Sequence, residues 1–225
     1  MRRFLIMFLF LGIMTSVSAQ YKDGPLRLTI SGVSNLSWLF SDYPDNIPGS
    51  VRAGGAAEFH IDYFFEPNFA FSSGICWSLS GGNMIYSKPT PMSFGTGIYN
   101  LPAGTELTYR LQFVEIPLGL KLISREIGYS TFFTDFGIDP MLRIRATGDT
   151  SDGIHEKDQI IEEVSLFNVA YHSELGVSYS LGNNTSVVLA FFYKNTFLDF
   201  TTDNLNKPHD TSRINLAGIK LGFGF

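Results

Sequence analysis

The sequence predicts an all-β protein, an eight-stranded antiparallel up-and-down transmembrane β-barrel with a filled polar lumen. Three observations predict it. Apolar residues recur at every second position through most of the 225 residues, and helical periodicity is nearly absent. Tight turns alternate with long connections. Charged residues make up only 16%, against roughly 25% in an average soluble protein, while Phe numbers 21, Tyr 10 and Gly 22.

The chain opens MRRFLIMFLFLGIMTSVSAQ. Arg2 and Arg3 form a basic start, Phe4 to Met14 is an apolar run, and Val17-Ser18-Ala19 is a small-residue cleavage site. This pattern predicts a cleaved signal peptide over residues 1–19 and one barrel domain over 20–225. The apolar run is too short to span a bilayer, and no later stretch approaches the ~18 apolar residues of a membrane helix. Cys76 is the only cysteine, so no intramolecular disulfide forms. A net charge of -5 with pI near 5.3 argues against nucleic acid as a partner.

Strands are expected over 26–39, 52–65, 69–82, 107–122, 128–147, 164–181, 185–200 and 212–225. The first carries Arg27 on its polar parity. In the second, Phe59, Ile61, Tyr63 and Phe65 oppose Glu58, His60 and Asp62. In the third, Phe69, Phe71, Ile75, Trp77 and Leu79 oppose Ala70, Ser72, Gly74, Cys76, Ser78 and Ser80. In the fourth, Ile116, Leu118, Leu120 and Leu122 oppose Glu115, Gly119 and Lys121. In the fifth, Phe132, Phe136, Ile138, Leu142 and Ile144 oppose Asp135, Asp139, Arg143 and Arg145. The sixth sets Val169, Tyr171, Leu175, Val177 and Tyr179 against Asn168, Ala170, His172, Glu174 and Gly176. In the seventh, Val187, Leu189, Phe191 and Tyr193 oppose Ala190 and Lys194. The eighth alternates Ala217, Ile219, Leu221, Phe223 and Phe225 with Gly218, Lys220, Gly222 and Gly224.

Tight turns fall at Glu66-Pro67-Asn68, Ser124-Arg125-Glu126 and Gly182-Asn183-Asn184. The long connections are 40–51, 83–106, 148–163 and 201–211. Short turns at one end and long loops at the other is the layout of outer-membrane barrels. The Pro- and Gly-rich second loop reads as exposed and mobile. Residues 155–164, HEKDQIIEEV, fit either a helical turn or strand extensions.

The apolar parity carries almost no charge, and a Lys or Arg there at mid-bilayer would cost ~2–4 kcal/mol. The other parity mixes small residues with charges of both signs: Arg27, Lys121, Arg143, Arg145, Lys194 and Lys220 against Glu58, Asp62, Glu115, Asp135, Asp139 and Glu174. An eight-stranded barrel is filled by its side chains, and buried charges persist only when paired. These residues, with His60 and His172, therefore predict a plugged lumen with a structural ion-pair network. A soluble barrel with the apolar face inward fits the same alternation. Three features weigh against it: bulky aromatics near strand ends, apolar faces too large for a small interior, and an apolar final residue.

The segments LQFVEIPLGLKL (111–122), GYSTFFTDFGIDPMLRI (128–144), ELGVSYSLGNNTSVVLAFFYKNTFLDF (174–200) and LAGIKLGFGF (216–225) resemble the PorT-like outer-membrane β-barrel proteins of Gram-negative bacteria. VEIPLGLK is the most specific piece. The resemblance implies an outer-membrane location. It also implies that Phe225 is part of a C-terminal signal read by the outer-membrane assembly machinery. It implies function only weakly, since one fold hosts many functions.

No cofactor or metal site is expected, and no catalytic residue. His172-Ser173-Glu174 fails as a relay because neighbouring strand residues point to opposite faces. His60 and Asp62 share the inward face, where a Ser of the third strand can approach; membership of the polar network is the favoured reading. The sequence thus predicts a monomeric, non-enzymatic outer-membrane barrel. Its partners are outer-membrane lipids, the assembly machinery and an envelope protein reached through the long loops. The alternatives are a lipid-modifying enzyme with His60, Asp62 or His172 as base, a narrow channel, and a soluble lipocalin-like binder.

Overall fold

The computed structural model describes residues 25–182, 184–202 and 210–225; the expected signal peptide, 1–19, lies outside the described residues, as do 203–209 of the last long loop. The strands in chain order are β1 (Leu26–Ser41), β2 (Asn46–Pro48), β3 (Arg52–Glu66), β4 (Phe69–Tyr86), β5 (Thr90–Phe94), β6 (Gly97–Leu101) and β7 (Thr105–Glu115). They continue as β8 (Leu118–Ile123), β9 (Ser130–Thr150), β10 (Asp158–Gln159), β11 (Phe167–Gly182), β12 (Thr185–Thr196) and β13 (Ser212–Gly224). β7 and β8 form one stave interrupted at Ile116-Pro117, where Pro117 has no N–H to give the ladder.

Counting β7 and β8 together, eight staves close into an antiparallel ring, β1-β3-β4-β7/β8-β9-β11-β12-β13. Closure is made by β13 against β1, with Ile30 opposite Phe223. At the end of this seam Phe225 and Leu28 exchange two backbone hydrogen bonds, at 3.1 and 2.8 Å. No sheet edge of the ring is left unpaired, which is what strands in hydrocarbon require. No helix among the described residues is long and apolar enough to cross a membrane.

Toward the tight turns, the side chains stand as their alternation dictates. Leu118, Leu120, Phe136, Ile138, Leu175, Leu189, Phe191, Leu221 and Phe223 are exposed on the outer face. Asp62, Glu115, Asp135, Asp139, Glu174, Lys194 and Lys220 are buried within. The apolar outer run covers Ala217–Phe225 on β13 and Val114–Leu122 along β7 and β8. Each is nine residues, the length a tilted strand needs to cross a bilayer, about 9–11. Aromatics gather at both borders. Trp38, Tyr193, Tyr171 and Phe197 form one chain with ring centroids 5.2 to 6.5 Å apart. Phe65 contacts Phe69 and Phe71, and Tyr129 lies against Tyr179, near the other. Amphipathic rings prefer such interfaces.

Beyond this band, toward the long loops, the faces exchange. On β7 Leu107, Tyr109, Leu111 and Phe113 point inward and are buried, while Thr108, Arg110 and Gln112 point out. After Phe113 the pattern inverts, with Val114 outward and Glu115 inward. The same happens on β13, where Ile214 and Leu216 are buried inside and Ile219 and Leu221 lie outside. The change follows the solvent. Where the outer wall meets water it takes polar residues, and the lumen can pack apolar ones as a soluble core does.

Two expectations are corrected here. Arg145 does not enter the lumen. β9 carries a bulge: Gln112 pairs with Arg145 and Phe113 with Arg143, leaving Ile144 as the extra residue. The bulge breaks the alternation, so Ile144 and Arg145 are both exposed and Ala146 turns in. The second long loop is also more built than its composition suggests. β4 continues to Tyr86, β5 pairs with β6 in a hairpin, and Met92, Phe94 and Leu101 are buried in the apolar core. The 155–164 segment does not extend a neighbouring strand: β10 pairs antiparallel beside β9, with Asp158 opposite Gly148, and residues 161–163 make a single 3-10 turn.

Candidate functional site

The lumen is layered, and the lower layer holds most of the sequence-predicted charges. Lys194, from β12, lies between Glu115 of β7 and Asp139 of β9, 2.5 Å from the latter. Glu115 also accepts from Ser78. His172 of β11 sets Nδ1 2.7 Å from Asp139 Oδ1 and Nε2 3.6 Å from Asp135 Oδ1. Lys220 of β13 bridges Glu58 at 2.7 Å and Glu174 at 2.6 Å. Lower still, Lys121 Nζ sits 2.7 Å from Asp62 and 4.5 Å from the Phe133 ring centroid. Side chains from seven staves are thus tied across the axis. Their room comes from glycines. A Cβ on Gly119 would lie 2.3 Å from Asp135 Oδ1, and one on Gly137 2.7 Å from His172 Cε1.

The arginines do not join this layer. Arg27 lies at the tight-turn mouth, 5.5 Å over the Phe64 ring, without an ion pair among the described residues. Arg143 keeps inward parity opposite Phe113, but its Nε is buried without a hydrogen-bond partner and it pairs with no carboxylate among the described residues. With Arg145 outside, the expected balance of charge becomes three lysines against six carboxylates: Lys121, Lys194 and Lys220 against Glu58, Asp62, Glu115, Asp135, Asp139 and Glu174. His60 and His172 are each placed against carboxylate oxygens.

His60 also lies in a row with the order of a hydrolytic relay. Its Nδ1 is 3.4 Å from Ser72 Oγ and its Nε2 is 3.2 Å from Glu58 Oε2. Glu58 is shared with Lys220, and the free space among His60, His172, Lys194 and Lys220 is about 20 Å³. That is room for about one water molecule, not for a substrate. Ser173 faces away from His172, as strand geometry requires.

The upper layer is the part the parity sort missed. Leu107, Tyr109, Leu111 and Phe113 pack with Leu39, Met84, Met141, Phe200, Ile214 and Leu216 into one apolar cluster across the lumen. Tyr109 meets Phe200 edge-on at 5.4 Å, and its hydroxyl is 2.6 Å from that of Tyr86. Burial pushes both phenols above their ordinary pKa. The loops close over this cluster. Phe94 of β5 stacks on His155 at 3.9 Å, His155 holds Asp158 at 2.6 Å, and Glu163 accepts the Ser93 N–H at 2.6 Å. The available signal was a pair of adjacent apolar residues inside an alternating run, Phe113-Val114 and Leu216-Ala217.

At the opposite end the barrel is open. A cup of about 670 Å³, lined by Arg27, Phe64, Thr131, Ser178 and Arg125 among others, faces the tight turns.

No family model matches the chain, and no curated protein does. The PorT-like likeness therefore stands on the sequence segments alone. Solved structures of similar shape are bacterial outer-membrane barrels. Neisserial surface protein A shares 10% identity over 88% of this chain and 95% of its own, with a TM-score of 0.48. The outer membrane protein OprG of Pseudomonas aeruginosa shares 11% over 90% and 95%, at 0.45. Ail, the attachment invasion locus protein of Yersinia pestis, shares 11% over 90% and 100%, at 0.42. Likeness this remote transfers no functional residue.

Proposed function

We propose that this is a monomeric, integral outer-membrane barrel that conducts nothing and acts as a surface-interaction or envelope-assembly protein through its capped end. In this reading the tight turns face the periplasm and the long loops face outward. The observation that carries it is the double closure of the lumen. An ionic layer centred on Lys194 lies beneath an apolar layer centred on Tyr109 and Phe113. A barrel closed twice is a poor pore. The loops above it are packed into a fixed head, with Met92, Phe94, Leu101 and Ile160 buried under them. Fixed loops on a rigid scaffold suit recognition, because less conformational entropy is lost on binding. The non-enzymatic reading is supported by the crowding around His60 and His172, where about 20 Å³ is free.

Planar-bilayer recording tests the closed state: the folded protein is expected to add no steady current, and a stable ohmic conductance would refute it. Surface display is tested by Ile98→Cys, at an exposed position of β6. A membrane-impermeant maleimide is expected to label this variant on intact cells and to leave the wild type, with its buried Cys76, unlabelled. Labelling that appears only after lysis would invert the orientation.

A further inference from the structure

Lysines, not arginines, make the ion pairs of the lumen, while Lys88 and Lys157 lie in the loops. The lumen uses lysine: Lys121, Lys194 and Lys220. The described residues hold seven arginines, at 27, 52, 110, 125, 143, 145 and 213, and five of these lie near the upper border of the apolar band. Arg145 follows Ile144, the last outward apolar residue of its stave. Arg110 precedes Val114, where the band begins on β7, by four positions, and Arg213 precedes Ala217 on β13 by four. Arg52 opens β3, and Arg143 lies behind Arg145 at the bulge.

Four residues of a strand tilted by about 45° climb about 9 Å. The headgroup layer of a bilayer is about 5–8 Å deep on each side. The arginines therefore fall in or just above the headgroups, on the loop side of the hydrocarbon.

Three of them are also available. Arg110 is bound to Asp149, with Nε 2.6 Å from Oδ2. Arg52, Arg145 and Arg213 pair with no carboxylate among the described residues. Glu106 accepts from the Asn83 amide at 2.6 Å, and Asp42, near Arg213, accepts from the Thr211 N–H at 2.6 Å. Arg52 has its pKa lowered first by partial burial and then by the neighbouring Arg110 charge, which Asp149 partly offsets. Arg145 owes its place to the β9 bulge. Regular pleating would have carried it into the lumen.

We propose that Arg52, Arg110, Arg145 and Arg213 form a collar that binds the phosphate groups of phosphorylated outer-leaflet lipid headgroups. The proposal rests on the outer-membrane reading above. Its chemistry is that of the guanidinium. A planar fork donates two parallel hydrogen bonds to a phosphate, is always charged, and loses little hydration on contact. Lysine suits the lumen better, where a point charge reaches two carboxylates on different staves.

The test uses the full chain folded into phosphatidylcholine nanodiscs doped with bisphosphorylated lipid A, or with the same lipid A after removal of its phosphates. Lipid retained by the protein is read by native mass spectrometry. The expected result is retention of the phosphorylated form alone. It should weaken about five-fold for each of Arg52→Gln, Arg145→Gln and Arg213→Gln, fall further when the three are combined, and weaken with added salt. Arg125→Gln, at the tight turns, should change nothing. Free inorganic phosphate should compete only feebly, because the acyl chains keep the headgroup beside the wall.

Equal retention of both lipids, or retention unchanged in the triple variant, would overturn the collar while leaving the barrel in its membrane. Full competition by inorganic phosphate would replace the lipid with a free anion. A protein that stays soluble without detergent and never enters the discs would overturn the outer-membrane reading itself, and the collar with it. Arg145→Lys separates charge from fork: a loss close to that of Arg145→Gln supports bidentate contact, and full retention removes that part of the proposal.

Discussion

The two halves of the lumen are built by opposite rules on the same staves. Below Phe113 the axis is crossed by Lys194, Lys220, His172 and their carboxylates, and the outer wall is Leu, Ile and Phe. Above it the axis is filled by Tyr109, Leu111 and Phe200, and the outer wall carries Arg110, Gln112 and Asp149. The difference teaches that inside and outside are not fixed labels in such a barrel. β7 and β13 send their apolar parity wherever water is scarcer. In hydrocarbon the outer face takes it and the lumen must hold paired charges. In water the lumen takes it and becomes an ordinary core.

The sharpest way to break the comparison is at Lys194. Lys194→Ala leaves Glu115 and Asp139 buried without their cation and is expected to cost about 3–5 kcal/mol of unfolding free energy in urea titrations in lipid. The triple change Lys194→Met, Glu115→Gln, Asp139→Asn should return to within about 1–2 kcal/mol of wild type, because charges removed together need no compensation. A mild Lys194→Ala would mean that the ionic layer is solvated and does not seal.

Next comes a pair of neighbours that straddle the inversion. Phe113→Ala opens a cavity in the upper layer and should cost about 3 kcal/mol or more. Val114→Ala, on the outer wall, should cost about 1 kcal/mol or less, since the surrounding medium closes over the missing methyls. Equal effects on the same urea titration would show that the faces do not exchange there. A smaller loss, about 1–3 kcal/mol, is expected for Gly137→Ala, whose added methyl meets His172 and the Leu118 carbonyl. A loss also of the His172–Asp139 contact, seen as a shifted imidazole resonance, would tie that glycine to the ionic layer.

The smallest effect is expected at high pH. Tyr86 and Tyr109 have folded-state pKa values raised above the ordinary 10.0 by burial. A group raised on folding lends stability in its protonated form. That contribution is complete below the unfolded pKa and is lost as pH climbs above it toward the folded value. Phenolate absorbance from this pair should therefore appear only in a late stage, above the ordinary phenol range, as the head opens. A single early stage including both would place water in the upper lumen. Tyr86→Phe removes one phenol from the late stage without touching the ionic layer.

Much of the lower half was legible in the sequence. The staves from Phe59 to Tyr63, from Leu118 to Leu122 and from Ala217 to Phe225 alternate without interruption, and the structure places them as parity dictates. Lys121, Lys194 and Lys220 were sorted inward by the same rule. The upper half was less legible, because Leu107, Tyr109 and Leu111 alternate just as well with the opposite sense. Only the doubled apolar pairs, Phe113-Val114 and Leu216-Ala217, mark the change.

By itself the sequence determined that the chain forms alternating strands, where its turns fall, and which residues share a face between bulges. These are local properties: a pleat has period two, and Gly, Pro and Asn punctuate it. The tertiary structure alone decided where the faces exchange, that the bulge at Ile144 sends Arg145 outward, that Arg143 pairs with no carboxylate among the described residues, and that Met92, Phe94 and Leu101 fold back as a lid. Each of these depends on what a neighbouring stave presents at the same height. One strand's alternation cannot carry that information, because register between strands is set only when the ring closes.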